Sequence, residues 1–424
     1  MLKKLNIDFK IQETYIGIFL TIFAFFANFS ISLSQIFFTL AIFVFLYQIF
    51  IEARESSLKT FFQKKITETK HGELFIVLFI WLLYRIFHIL ISADSQKELV
   101  YDKDLLLIFM LPLVIISIKD NKWITAIITS LLIGGFLTAV YNIYMFILSG
   151  ESFLGSYRAA AFDNTNSLTY TGTITFTFFL GFALAIQLFS EKKNKLKYLI
   201  GALSVFALIG FILSNSKGGI IALFLTIVFC GFLLFKKKFL FILPILIVMP
   251  LYMYKYVPKI NTKINFIVSQ SEKDQSGTYG ERLDMWRTGV KMWVDYPLLG
   301  TGFSNYKKLY QEYKVKGAKE TADKGSHMHN DLLNTLVLYG SIGFTIHLMI
   351  YLLPLMNFIG NIGGYMNSKR KWMLFFSGSS VFMMFSMGLS QCHYIDDEVN
   401  VLFWFAIAVF YRELLNEKKT LKEI

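Results

Sequence analysis

Residues 199–235 read LIGALSVFALIGFIL, then SNSKGG, then IIALFLTIVFCGFLLF. A bilayer crossing takes about 20 apolar residues, so the runs near 198 to 214 and 218 to 235 are two crossings joined by a hairpin. Lys192, Lys193, Lys195 and Lys197 precede the first run and Lys236, Lys237 and Lys238 follow the second, whereas the hairpin holds only Lys217. Basic residues collect at the cytoplasmic ends of spans. Both flanks are therefore expected inside and Lys217 outside. This unit sets the fold class as polytopic and all-α, and it fixes an orientation for its neighbours.

The same alternation extends in both directions. Apolar runs lie near residues 15 to 30, 32 to 51, 73 to 91, 104 to 118, 123 to 148 and 167 to 189 ahead of the pair, and near 239 to 256, 331 to 352, 372 to 390 and 397 to 412 behind it. About twelve transmembrane helices are expected, with the runs at 104 and 397 the shortest. Lys3, Lys4, Lys10, Arg54, Lys119, Lys122, Lys369, Arg370, Lys371 and Arg412 fall on the side of the seven flanking lysines. Only Lys97, Lys103, Arg158 and Lys217 fall on the short outer connections. Both termini are thus expected in the cytoplasm, and the first helix is expected to be retained, because no small-residue cleavage site follows it.

Composition agrees. Of 424 residues 55% are apolar and 17% charged, which excludes an ordinary soluble domain, a disordered chain and a disulfide scaffold. The net charge of +13 is mostly topology, and no nucleic-acid motif accompanies it. Cys230 and Cys392 are expected at opposite membrane faces, too far apart to bond.

The spans divide the chain into helices 1 to 9 (residues 1–256), a polar loop (257–330) on the outer side and helices 10 to 12 (331–424). A connection this long is usually functional or disordered. Within it Glu281 to Trp293 is expected to be an amphipathic helix, with Leu283, Trp286, Val290 and Trp293 at helical spacing, ended by Pro297. Two Trp on that stripe suit either the membrane interface or packing on the bundle. Asp295-Tyr-Pro-Leu-Leu-Gly-Thr-Gly302 follows, and His327-Met-His-Asn-Asp331 stands just before the tenth span. A His suits general-base work near neutral pH, and it equally suits an interfacial cap. No Cys or carboxylate set with ligand spacing joins the two His, so no metal and no cofactor are expected.

Taken together, Glu281-Arg-Leu-Asp-Met-Trp286, Asp295 to Gly302, His327-Met-His-Asn-Asp-Leu-Leu333 and Tyr339-Gly-Ser-Ile-Gly343 resemble the O-antigen ligase and polymerase superfamily. The resemblance implies a GT-C-like membrane glycosyltransferase with a long periplasmic loop containing amphipathic helices. It further implies a donor glycan on undecaprenyl diphosphate, membrane lipid around the site and metal-independent, inverting transfer in the bacterial inner membrane. A ligase passes the glycan to the lipid A core, as in lipopolysaccharide biosynthesis; a polymerase passes it to another repeat unit. The size of the chain and the late outer loop resemble ligases more.

On that basis His329 is expected to deprotonate the acceptor and Arg282 to stabilise the diphosphate, the two catalytic residues. Arg158, Lys217, His327 and Asn330 form the expected substrate-binding set. Arg158 lies in Gly155-Ser-Tyr-Arg-Ala-Ala-Ala-Phe-Asp-Asn164-Thr-Asn166, whose Asn164 and Asn166 serve either the ligand or the cap of the next helix. Lys217 stands where the superfamily commonly has Arg; it keeps the charge without the planar fork, and otherwise snorkels. Arg85 and His88 share one face of the third span and either serve the site or pair with a carboxylate near Asp94 or Glu98. A lipid-linked glycan flippase would explain the span count, but the long loop has no counterpart in the first half of the chain.

Overall fold

The computed structural model describes residues 9–55, 72–151, 157–160, 166–191, 195–241, 278–315 and 327–420, with positions 244 and 248. The helices are α1 (Phe9–Phe26), α2 (Ile31–Glu55), α3 (Gly72–Ile91), α4 (Ser95–Tyr101), α5 (Asn121–Ser149), α6 (Ser167–Ser190), α7 (Leu196–Leu213), α8 (Lys217–Phe235), α9 (Thr278–Asp295), α10 (Gly302–Tyr313), α11 (Asp331–Gly360), α12 (Lys371–Gly388) and α13 (Asp397–Thr420). No strand occurs among the described residues. The expected ninth span, 239 to 256, falls almost wholly outside them.

Among the described residues seven helices are long and apolar enough to cross a membrane: α2, α3, α5, α6, α7, α8 and α11. Ile11–Phe26 and Asp104–Ser117 are shorter apolar helices. The expected helix at 104 to 118 is broken: a 3-10 stretch (Asp102–Phe109) runs through one α turn (Met110–Pro112) into a π turn (Leu113–Ser117). Pro112 cannot donate a helical hydrogen bond, so the ladder changes register there. α12 and α13 miss the apolarity of the seven for a physical reason. They pack on each other, and both pack on α6. Buried among other helices, α12 keeps Ser377, Ser379, Ser380 and Ser386 and α13 keeps Asn400, with no lipid to forbid polar groups.

One end of the bundle is tied by charges. Arg412 on α13 donates from Nε to the Ile118 carbonyl (2.8 Å) and from Nη2 to the Lys119 carbonyl (2.6 Å), satisfying the end of the broken helix. Its neighbour Glu413 pairs with both Arg412 (2.7 Å) and Arg370 (3.0 Å), and Glu13 near the start of α1 accepts the Lys119 and Asp120 N–H groups. These segments are the ones that charge placement assigned to a single side.

At α3 the carboxylate pairing is realised a few residues beyond Glu98. Arg85 is buried and donates to Asp102 (Nε, 2.8 Å) and Asp104 (Nη2, 2.9 Å), not to the carboxylates of Asp94 or Glu98. Its guanidinium lies over the Tyr339 ring, 4.7 Å from the centroid, and the Tyr339 hydroxyl donates to Asp102 (2.8 Å). An Arg within a span is tolerated when its charge is paired, and here the pairing fastens α3 to the broken helix and to α11.

α11 is kinked at Gly340 (φ 64°, ψ −171°). The kink frees backbone groups at membrane depth, which must be satisfied by protein. The turn Pro297–Gly302 does this: Ser341 N–H donates to the Pro297 carbonyl (2.8 Å), Ile342 N–H to the Leu298 carbonyl (3.3 Å), and Thr301 N–H to the Val337 carbonyl (2.9 Å). The Pro-x-x-Gly-x-Gly motif is thus the partner of a broken helix.

Candidate active site

The site is built around the strip His327–Asn330 that leads into α11. Met328 is fully buried and packs on Gly289 of α9, where a Cβ would stand 2.9 Å from its terminal methyl carbon. Trp286 Nε1 donates to the Met328 carbonyl (2.9 Å), and Met328 N–H donates to Asn334 Oδ1 (3.3 Å). The strip is therefore pinned from α9 and from α11, with the two half-buried His on either side of the Met plug.

Asn330 is the N-cap of α11, its Oδ1 accepting from Leu333 N–H (2.9 Å). Its Nδ2 donates to the Leu389 carbonyl (3.0 Å) and its N–H to Cys392 Sγ (3.2 Å). The side-chain Nδ2 and the backbone N–H thus hold the strip to the connection between α12 and α13. Burial pushes the Cys392 thiol well above its ordinary range, so it stays a thiol and serves as a packing partner.

His329 sits in the left-handed region (φ 47°), uncommon for any residue with a side chain. Its N–H donates to His327 Nδ1 (3.2 Å), and its Nδ1 lies 2.7 Å from Gln391 Oε1. The two imidazoles meet edge to face, 4.2 Å between centroids.

α9 spans Thr278–Asp295, somewhat longer than expected, and its faces are divided differently. Met285, Thr288, Gly289 and Met292 make the buried stripe, with Trp286 and Trp293 at its margins, while Leu283 and Val290 are exposed. Both indoles reach hydrogen-bond partners, Met328 and Ser341, which draws the helix round toward α11. Arg282 lies one turn before Trp286 and shares its face, the one that meets the His strip.

The other two basic candidates come from a second direction. Ala159 N–H donates to the Leu213 carbonyl (3.0 Å) and Asn215 Nδ2 to the Tyr157 carbonyl (3.3 Å), so exposed Arg158 is held against the turn leading into α8. Lys217 opens α8, capped by Ser216 Oγ on Gly219 N–H (3.3 Å). A Cβ on Gly218 would stand 2.2 Å from Ser390 Oγ. The start of α8 thereby abuts the residue next to Gln391. Helix N-termini favour anions, and a first-turn Lys adds to this. Asn166 caps α6 through Leu168 N–H (3.0 Å), and Asn164 lies outside the described residues.

Residues 202–348 match the family model described as O-antigen ligase. Those residues are similar to an O-antigen ligase family domain. Such a domain belongs to enzymes of the ligase and polymerase type that act on lipid-linked glycans. A Haemophilus influenzae protein named only as uncharacterized is 27% identical over 323 residues, covering 71% of this chain and 76% of its own length.

The matched segment contains Lys217, Arg282, His327, His329 and Asn330. Arg158 and Gln391 are supplied from either side of it. Sequence reasoning missed Gln391, although the connection Leu389-Ser-Gln-Cys-His-Tyr-Ile-Asp-Asp397 is dense in polar groups for so short a link between apolar helices. It also missed α10 and its anchor. Glu98 accepts from the N–H groups of Phe303 and Ser304 (both 2.9 Å), the first turn of α10, and lies 3.3 Å from His88 Nδ1. His88 Nε2 meets the Leu299 carbonyl (2.9 Å). Burial raises the Glu98 acid, but the His88 contact and the two N–H groups outweigh it and hold its pKa below the ordinary value.

Proposed function

We propose that this protein is an O-antigen ligase that moves a glycan from undecaprenyl diphosphate to a sugar of the lipid A core, at the periplasmic face of the bacterial inner membrane. The observation that carries the reading is convergence. Segments bearing Arg158, Lys217 and Arg282, widely separated in sequence, are fastened around the strip that holds His329.

The chemistry needs little else. A diphosphate leaving group makes the anomeric carbon of the donor reactive, so the protein has to align donor and acceptor, neutralise charge and remove one proton. His329 takes the proton of the acceptor hydroxyl as its oxygen bonds to the anomeric carbon. The bond from that carbon to the diphosphate oxygen breaks on the opposite face, which inverts the configuration. Arg282 takes the growing phosphate charge in its planar fork, and Arg158, with a second fork, and Lys217, as a point charge, hold the diphosphate at the start of α8. His327 and Asn330 orient the strip. Residues 257–330 serve as the catalytic loop between two sets of membrane helices, and both termini lie in the cytoplasm.

The same site would serve a polymerase with another repeat unit as acceptor. Lipopolysaccharide from a deletion strain separates the cases. A ligase leaves rough lipopolysaccharide with full-length glycan accumulating on the undecaprenyl carrier. Core bearing a single repeat overturns the ligase reading in favour of a polymerase, and absence of carrier-linked glycan from the outer face overturns both in favour of a flippase.

A further inference from the structure

We propose that Gln391 is a positioning residue, whose amide oxygen 2.7 Å from His329 Nδ1 selects the tautomer with the proton on Nδ1 and the lone pair on Nε2. The inference rests on the reading of His329 as the proton acceptor, and it names the atom that does the accepting. A neutral imidazole has one N–H and one lone pair, and an amide oxygen can only accept. With Oε1 facing Nδ1, the basic nitrogen is Nε2. With the amide reversed, its NH2 would donate to Nδ1, the ring proton would sit on Nε2, and that edge would be no base. The orientation of one amide thus decides whether His329 is competent.

The surroundings hold Gln391 beside His329. Gln391 is 5% exposed, and the residues on both sides of it are engaged. Leu389 and Cys392 each hold Asn330, while Ser390 is seated against Gly218. The turn therefore has no freedom to slide along the strip. From the other side, His327 Nδ1 accepts the His329 N–H (3.2 Å) and supports a backbone conformation that a His rarely adopts. An Nδ1 that accepts is unprotonated, so a neutral His327 carries its proton on Nε2. The two rings, 4.2 Å apart, then have opposite proton placement: one Nε2 donates and the other accepts. A sugar hydroxyl is both donor and acceptor, and such a pair matches it.

The test uses the full-length protein in detergent, labelled with 15N-histidine, and a transfer assay with lipid-linked glycan as donor. The His329→Ala spectrum assigns the ring. Wild type is expected to show a protonated Nδ1 and an unprotonated Nε2. Gln391→Leu is expected to lose that preference and to lower kcat by on the order of 100-fold, with KM within about twofold. Gln391→Glu, which offers only acceptors, is expected to restore the tautomer and recover kcat to within about tenfold of wild type. A His329 protonated on Nε2 in wild type overturns the proposal whether or not any variant folds. So does a Gln391→Leu protein with unchanged tautomer and kcat; if His329→Ala is inactive in the same assay, the proposed function still stands. An active His329→Ala protein removes His329 as the base, and this proposal fails with that assignment while the transfer function stands.

Discussion

Gly300 and Gly340 meet backbone to backbone: a Cβ on Gly300 would stand 2.5 Å from the Gly340 nitrogen, and one on Gly340 would stand 2.6 Å from the Gly300 nitrogen. Both have positive φ, 73° and 64°. Neither position accepts a side chain without both strain and overlap, and the atoms in the way are backbone. Gly300→Ala or Gly340→Ala is expected to destabilise the protein by about 1–3 kcal/mol or more. A lower thermal unfolding midpoint in detergent checks this; an unchanged midpoint for both variants would mean that the turn and the kink are not coupled.

Much of this arrangement was legible in the sequence, and the exceptions have physical causes. Charge placement grouped Lys119, Arg370 and Arg412 on one side, and the hydrogen bonds of Arg412 and Glu413 join those segments. The motifs around Arg282 and His329 marked the strip and the helix that pins it. What period and composition left hidden are contacts made across the chain. Arg85 and Asp102 are close in sequence, but their pairing depends on where the broken helix turns. The faces of α9 are set by where the indoles of Trp286 and Trp293 find partners, which helical spacing does not encode. Gln391 has no motif of its own, and its meaning comes from a ring 62 positions earlier in the chain.

The buried Arg85 neutralises carboxylates that have no water to solvate them. Arg85→Met is expected to lower the yield of folded protein sharply, by the roughly 3–5 kcal/mol that an orphaned buried charge costs. The combination with Asp102→Asn and Asp104→Asn is expected to recover a substantial part, because the charges left behind are then gone. Size-exclusion profiles and melting midpoints of the single and triple variants measure this. Equal loss in both would assign Arg85 a role other than charge pairing.

Glu98 gives the fold an acid dependence. Its pKa is lowered in the folded chain, so its contribution is complete above the ordinary value of 4.5 and is lost as pH falls through the folded value. Protonation weakens the hold on the first turn of α10 and the contact with His88. Wild-type midpoints measured from pH 7 down into the acid range are expected to fall more steeply than those of Glu98→Gln, which is less stable at pH 7 but has no charge to lose. Parallel curves would show that Glu98 does not control the acid limb.

Arg282 and His329 are each expected to be indispensable for transfer. His329→Ala and Arg282→Ala should insert and accumulate normally, yet lose at least about 100-fold in kcat/KM. Near-normal transfer by the His329 variant would remove the general base. Addition of a chelator is expected to leave wild-type activity intact, since the proposed chemistry neutralises the diphosphate with side chains alone; a clear loss would require a metal ion in the reaction.

Lys217 separates two physical roles that the sequence left open. A snorkelling Lys contributes through its aliphatic stem and its contact with the interface, and any long cation replaces it without effect on the reaction. A Lys bound to diphosphate at the start of α8 contributes charge to a ligand that also meets Arg158, whose loop is tied to the same turn through Asn215. Lys217→Ala and Arg158→Ala are therefore expected each to raise the donor KM, with a smaller effect on kcat, and the double variant to lose less than the product of the single losses, as for neighbours sharing one ligand. Lys217→Arg is expected to retain donor affinity or improve it, because the fork suits phosphate. Unchanged donor KM in Lys217→Ala, with normal insertion, would leave Lys217 to the interface and the diphosphate to Arg158 and Arg282.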